Sequence, residues 1–144
     1  MKKIFFLMVV LLSGLFVSCN NKPQPEDQGG SEKEAILRTI ELYMEGSRQA
    51  DSGITGKAFA EGATLAGVQN GRLSNVPIRV LYDLVDSKEP GTAAYTLTAC
   101  SVEKDIAMVR IESQFGDHRY TDMFTLVKDA GEWKIISKVY HLHE

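Results

Sequence analysis

The chain has 144 residues, with 16 basic and 19 acidic side chains, a formal net charge of −3 and 44% hydrophobic residues. That length suits one domain around one core. The acidic balance and scattered basic residues argue against nucleic acid, whose phosphates call for a clustered positive surface.

The N-terminus reads as an export signal. Lys2 and Lys3 are followed by an apolar run over residues 4–12, by Ser13-Gly14, and then by Phe16-Val17-Ser18-Cys19. A small residue directly before a cysteine, just after an apolar core, is the lipobox pattern, here with Phe16 where leucine is usual. The apolar core, roughly 14 residues, is short of the ~20 needed to span a bilayer. Residues 1–18 are therefore predicted to be a signal peptide and Cys19 the lipidated N-terminus. Residues 20–31 hold two Pro, two Gly and no other apolar side chain, a composition for a flexible tether over 19–31. This predicts a domain over residues 32–144 that is lipid-anchored in a bacterial cell envelope, on the periplasmic side of a membrane or at the cell surface. Without the signal, 14 basic residues remain against 19 acidic ones, a net of −5. Cys100 is then left without a partner in the chain and reads as a small buried apolar residue rather than a nucleophile.

In residues 32–50, Ile36, Leu37, Ile40, Tyr43 and Met44 recur at helical spacing, and Ser31 with Glu34 forms a capping-box pair. Residues 53–60 suggest a second, short helix with Ile54, Ala58 and Phe59 inward. A short strand over 63–68 leads to the hairpin signal Asn70-Gly71. Asn75 is a candidate cap for a third helix, with Pro77 in its first turn and Ile78, Leu81, Tyr82 and Val85 along one stripe. Alternating patterns then predict strands around 92–102, 106–115, 119–128 and 132–143, separated by turn residues. Helices followed by a meander argue for an α+β domain, with helices on one face of a mostly antiparallel sheet.

Particular residues resemble a known superfamily. They are Tyr43-Met44-Glu45-Gly46, Ala58-Phe59 with Ala63-Thr64-Leu65, Gly71, residues 120–126, and Gly131-Glu132-Trp133-Lys134-Ile135 with Lys138-Val139-Tyr140. The pattern is similar to the nuclear transport factor 2-like superfamily, and most of all to its bacterial branch described as putative lumazine-binding. The resemblance spans about residues 34–141. Ala60-Glu61 stands where that branch often has His-Pro. The resemblance implies a cone: about three N-terminal helices closing a strongly curved sheet, a pocket at the open end, and a homodimer formed through the other face of the sheet.

The last hairpin can be given a register. A three-residue loop at Asp129-Ala130-Gly131 pairs Lys128 with Glu132, Phe124 with Ile136, Asp122 with Lys138 and Tyr120 with Tyr140, all on one face. Trp133 then falls on the opposite face, near Met123. A carboxylate and an ammonium among apolar and aromatic neighbours suggest a pocket wall; an exposed salt bridge of little consequence is the alternative. A two-residue loop would put Val139 opposite Asp122 and dissolve the pairing. Tyr43, Phe59, Tyr82, Tyr120, Asp122, Phe124, Lys138 and Tyr140 are the candidate pocket residues.

By the resemblance, Tyr43 and Asp122 fall where the ketosteroid isomerases place a tyrosine and an acid that polarise the substrate oxygen. The general-base position falls near Gly67, which cannot accept a proton, and Lys138 beside Asp122 favours the charged carboxylate. His118, His141 and His143 lie near a strand end without clustered carboxylates and read as no metal site. No cofactor motif and no Ser-His-Asp pattern appears. The leading expectation is a membrane-anchored, non-catalytic domain that binds an unidentified small molecule in an apolar and aromatic pocket. The alternatives are a hydrolase- or isomerase-like enzyme using Asp122 and a tyrosine, and a cone filled by its own side chains. The anchor has a direct test: Cys19→Ala should move the protein from the membrane to the soluble fraction or stall its processing. A variant still cut after Ser18 and still membrane-bound would refute the lipidation site.

Overall fold

The computed structural model describes residues 28–144. The export signal, Cys19 and most of the tether lie outside the described residues. The elements run α1 (Gln28–Gln49), α2 (Ser52–Gly56), β1 (Phe59–Gln69), β2 (Arg72–Pro77), α3 (Arg79–Asp86), β3 (Ala93–Glu103), β4 (Ile106–Phe115), β5 (His118–Asp129) and β6 (Glu132–His143). The six strands form one sheet in the order β2-β1-β6-β5-β4-β3. Every neighbouring pair is antiparallel except β1 with β6, which run parallel.

The helical stripe read from the sequence is the buried face of α1. Ile36, Ile40, Tyr43 and Met44 lie in the core with the inward side chains Val109, Ile111, Phe124 and Leu126 of the sheet. The helix starts at Gln28, three residues before Ser31, which therefore lies inside it. Its first turns are held by Glu32, which accepts hydrogen bonds from the indole of Trp133 (2.8 Å) and the ammonium of Lys128 (2.6 Å). Those two contacts depress the Glu32 carboxyl below the usual glutamate range. Farther along, Gly46 lets α2 approach closely: a Cβ there would stand 2.1 Å from the Thr55 hydroxyl and 2.5 Å from the Thr55 backbone nitrogen.

Two local expectations are corrected. The second helix is shorter than 53–60 and is capped by Asp51, whose side chain accepts from the Ile54 N–H. Phe59 has left the helix and begins β1, because the chain there pairs with β6 (Phe59 opposite Ile135). Asn75 caps no helix: it sits in β2 opposite Ala66. The hairpin at Asn70-Gly71, both with positive φ, continues its pairing through Pro77, and that ladder outweighs the capping signal. The α3 helix starts after Ile78 without a side-chain cap.

The hairpin between β5 and β6 also differs from expectation. Its loop has two residues, Ala130 and Gly131, both with positive φ, so Asp129 pairs with Glu132 and Lys128 with Trp133. This is the primed turn favoured by strand twist. Carried on unchanged, that register would turn Lys138 away from Asp122. It is not carried on. The pairing shifts between Leu126–Ile135 and Thr125–Ser137, leaving Ile136 as the extra residue of a β-bulge. Beyond the bulge, Phe124 pairs with Lys138 and Asp122 with Tyr140. Trp133 and Ile135 before the bulge and Lys138 after it are all buried, while Ile136 is partly exposed. Trp133 is thus on the inner face, against α1, and not on the outer face as the three-residue loop required.

The outer face of the sheet remains open. Met108 (64% exposed), Met123 (54%) and Val139 (46%) lie on it, with Met123 and Val139 directly paired.

Candidate functional site

The site is built where β4, β5 and β6 run side by side. Inward positions alternate along each strand, and Ser113, Asp122 and Lys138 share that face because Ser113 faces Tyr120 and Asp122 faces Tyr140 across the ladders. Asp122 is wholly buried, Lys138 is 4% exposed and Ser113 is 4% exposed. The Lys138 ammonium donates to Asp122 Oδ1, and the Ser113 hydroxyl donates to Oδ2 at 2.7 Å. Both carboxylate oxygens are therefore satisfied, as a buried charge requires.

Aromatic rings enclose the ammonium. Lys138 Nζ lies 5.4 Å from the ring centre of Tyr43, 5.6 Å from Phe124 and 5.3 Å from Tyr140. Such cation–π contacts, about 0.5–2 kcal/mol each depending on desolvation, replace part of the lost hydration. Burial nevertheless wins over the attraction of Asp122 and lowers the Lys138 ammonium below the usual lysine value. The Tyr43 hydroxyl is pushed well above its ordinary value, first by burial and then by the charges of Asp122 and Tyr120, so it stays a proton donor.

All eight residues singled out from the sequence converge. Tyr43 meets Phe59 and Phe124 edge-on at 5.9 and 5.8 Å, Phe59 meets Tyr82 at 6.2 Å, and Tyr120 meets Tyr140 at 6.1 Å. The deepest are Tyr43, Phe59, Asp122, Phe124 and Lys138; Tyr82, Tyr120 and Tyr140 are half-buried around them. Two participants were missed. Phe115 bridges Tyr43 and Tyr120 at 5.8 Å each, and Ser113 is the second partner of Asp122. Both follow from alternation along β4 (Val109, Ile111, Ser113, Phe115), a signal the sequence carried.

Tyr140 occupies the space that Gly67 leaves. A Cβ at Gly67 would stand 2.8 Å from two Tyr140 ring carbons, and the Tyr140 hydroxyl accepts from Gln69 Nε2 at 2.9 Å. The place where an isomerase-type base was sought is thus filled by a tyrosine ring. Two surface depressions lie elsewhere. One runs along the outside of α1 by Arg38, Glu41, Leu42 and Glu45, and the other lies near Thr39, Lys57 and Trp133. Cys100 is half-buried, its thiol raised by burial.

Residues 31–141 match the protein family described as putative lumazine-binding. A crystal structure of an NTF2-like protein of unknown function from Shewanella baltica OS155 is 34% identical, with a TM-score of 0.76 over 80% of this chain and 96% of that one. The aldolase FrzH of a Cladobotryum species is 26% identical over 114 residues, which cover 77% of this chain and 91% of that protein. A putative ketosteroid isomerase from Shewanella frigidimarina NCIMB 400 shares the fold at 15% identity and a TM-score of 0.55, over 74% of this chain and 94% of that one.

The buried network predicts its own mutational signature. Asp122→Ala strands a buried ammonium and should destabilise the domain by about 3–5 kcal/mol, whereas Asp122→Leu combined with Lys138→Met should recover most of that loss. Equal destabilisation by the single and double variants in urea unfolding would refute the pairing.

Proposed function

Because the chain belongs to the putative lumazine-binding family of NTF2-like proteins, we propose that its cone binds a small molecule with an aromatic or apolar body and a polar edge. The observation that carries this reading is the Asp122–Lys138–Ser113 network on the concave face, enclosed by Tyr43, Phe124 and Tyr140. A buried ion pair is seldom more stabilising than apolar side chains of the same volume, so a charged floor beneath aromatic walls suits recognition better than stability. The half-buried Tyr82, Tyr120 and Tyr140 form the rim, and entry of a ligand displaces rim rings. Aromatic walls hold the body of the ligand and the network orients its polar edge, the usual division of labour in small-molecule sites.

A second reading, an enzyme of the isomerase or aldolase kind, is favoured by the Tyr43 ring against the ammonium that holds Asp122 and by the relative named as an aldolase. Against the isomerase form stands the hydrogen bonding. An acid that polarises a substrate oxygen donates a proton, but both Asp122 oxygens accept here, and Gly67 supplies no base.

Two features complete the proposal. Cys19 carries the lipid that tethers the domain to the cell envelope. The outer sheet face, with Met108, Met123 and Val139 exposed, packs against a second copy; exposed apolar patches of this kind are interaction surfaces. Sedimentation of the domain should give a dimer that Met123→Lys dissociates, and a monomer at high concentration would refute the pairing. For the ligand, native mass spectrometry of the folded chain should reveal a small-molecule adduct that is lost in Tyr140→Ala. An adduct-free spectrum, together with no heat on titration with lumazine, would overturn the binding reading.

A further inference from the structure

We propose that Lys138 captures a carbonyl compound covalently, its amine condensing with an aldehyde or ketone to a protonated imine while Asp122 shuttles the proton. This deepens the binding reading, on which it rests, by naming the substrate class as a neutral carbonyl compound with an apolar or aromatic body.

The geometry carries it through three features. The ammonium donates to a single anionic partner, Asp122 Oδ1, and among the described residues it makes no other hydrogen bond; ring faces surround the rest of it. A lysine desolvated in an apolar pocket is the form in which this side chain serves as a nucleophile, and its lowered proton affinity here agrees with that. The second Asp122 oxygen is fixed by Ser113 at 2.7 Å, which aims the first at Nζ. Finally, the ring of Tyr43 lies 5.4 Å from the ammonium, and its hydroxyl, raised by burial, keeps its proton.

The step balances without any other reactant. The Lys138 ammonium gives one proton to Asp122, and the freed lone pair adds to the carbonyl carbon. A C–N bond forms, the C–O double bond becomes single, and a proton moves from nitrogen to that oxygen. The resulting carbinolamine hydroxyl takes the proton back from Asp122 and leaves as water, and the nitrogen lone pair closes the C=N bond. The product is an iminium cation opposite a carboxylate, the same charges the site holds at rest. A pocket that already accommodates a buried cation between rings and a carboxylate accommodates the iminium with no change in net charge. An uncharged imine would instead leave Asp122 unpaired.

Access runs past Tyr140. Its ring covers Lys138 from one side and rests on Gly67, and among the described residues its hydroxyl is held by Gln69 alone, exposed near the hairpin tip.

The experiment uses the full chain, incubated with butanone and sodium cyanoborohydride at neutral pH, followed by peptide mapping. Ketones react slowly with ordinary exposed amines. Lys138 should be alkylated about tenfold faster or more than the exposed Lys57 and Lys104, and Asp122→Asn, which keeps the shape but cannot take the proton, should suppress the labelling. Labelling of exposed lysines with Lys138 untouched would overturn the inference. If lumazine or a co-purifying molecule still binds in that case, the non-covalent binding reading survives alone. If neither binding nor labelling is found, both fall.

Discussion

The bulge at Ile136 is the feature on which the interior depends. β6 lies between β1 and β5 in the middle of the sheet, and without the extra residue its side chains would keep one alternation throughout. Trp133 and Ile135 would then point at α1 while Lys138 and Tyr140 pointed at solvent. With it, one strand supplies both the apolar floor under α1 and the polar and aromatic floor of the site. A bulge also bends its strand and raises the local twist. The pairing of β1 with β6 is irregular over the same stretch: Phe59 to Thr64 spans five residues on β1 while Ile135 to Ser137 spans two on β6. Both ladders of the central strand therefore break at one level.

That break explains how far the sequence could be read. The four C-terminal strands were legible within about a residue at each end, because turn residues punctuate strict alternation. The register was not. A three-residue loop was assumed where the loop has two residues, which inverts the alternation, and the bulge inverts it again. Asp122 and Lys138 come out on the same face, offset along the ladder with Phe124 and Tyr140 as their direct partners, rather than opposite one another. Trp133 lies before the bulge and keeps the inverted assignment. A bulge leaves little trace in side-chain pattern, since Ile135, Ile136 and Ser137 would fit either face; what decides it is packing of Trp133 and Ile135 against α1, a long-range contact.

In the helical half the apolar stripes of α1 and α3 were read correctly and the helix boundaries were not. Asn75-Val76-Pro77 is a respectable helix start, yet these residues prolong a hairpin whose turn had been recognised. Capping is worth about 1 kcal/mol, less than the ladder of six paired positions between β1 and β2 contributes. The eight candidate residues, by contrast, came together because their identification needed only the inward face of each element. Ser113 was overlooked although alternation along β4 places it inward, because an inward serine has no evident role until its carboxylate partner is placed beside it.

The hydrogen-bond inventory of the network restricts what a ligand can present to it. Asp122 has both oxygens engaged, by Lys138 and Ser113, and the Ser113 proton is committed to Oδ2. Capacity remains on the donor side: an ammonium has three N–H groups, of which Asp122 takes one and ring faces take what they can of the others. A ring face is a weaker acceptor than a carbonyl oxygen, so a ligand bearing such an oxygen improves on the resting contacts of the ammonium. This benefit of an acceptor on the ligand follows from the unpaired-group penalty, about 1–3 kcal/mol for a donor buried without a partner. It comes from the buried pair itself, and a floor of Leu and Met at positions 122 and 138 would hold the same volume without it.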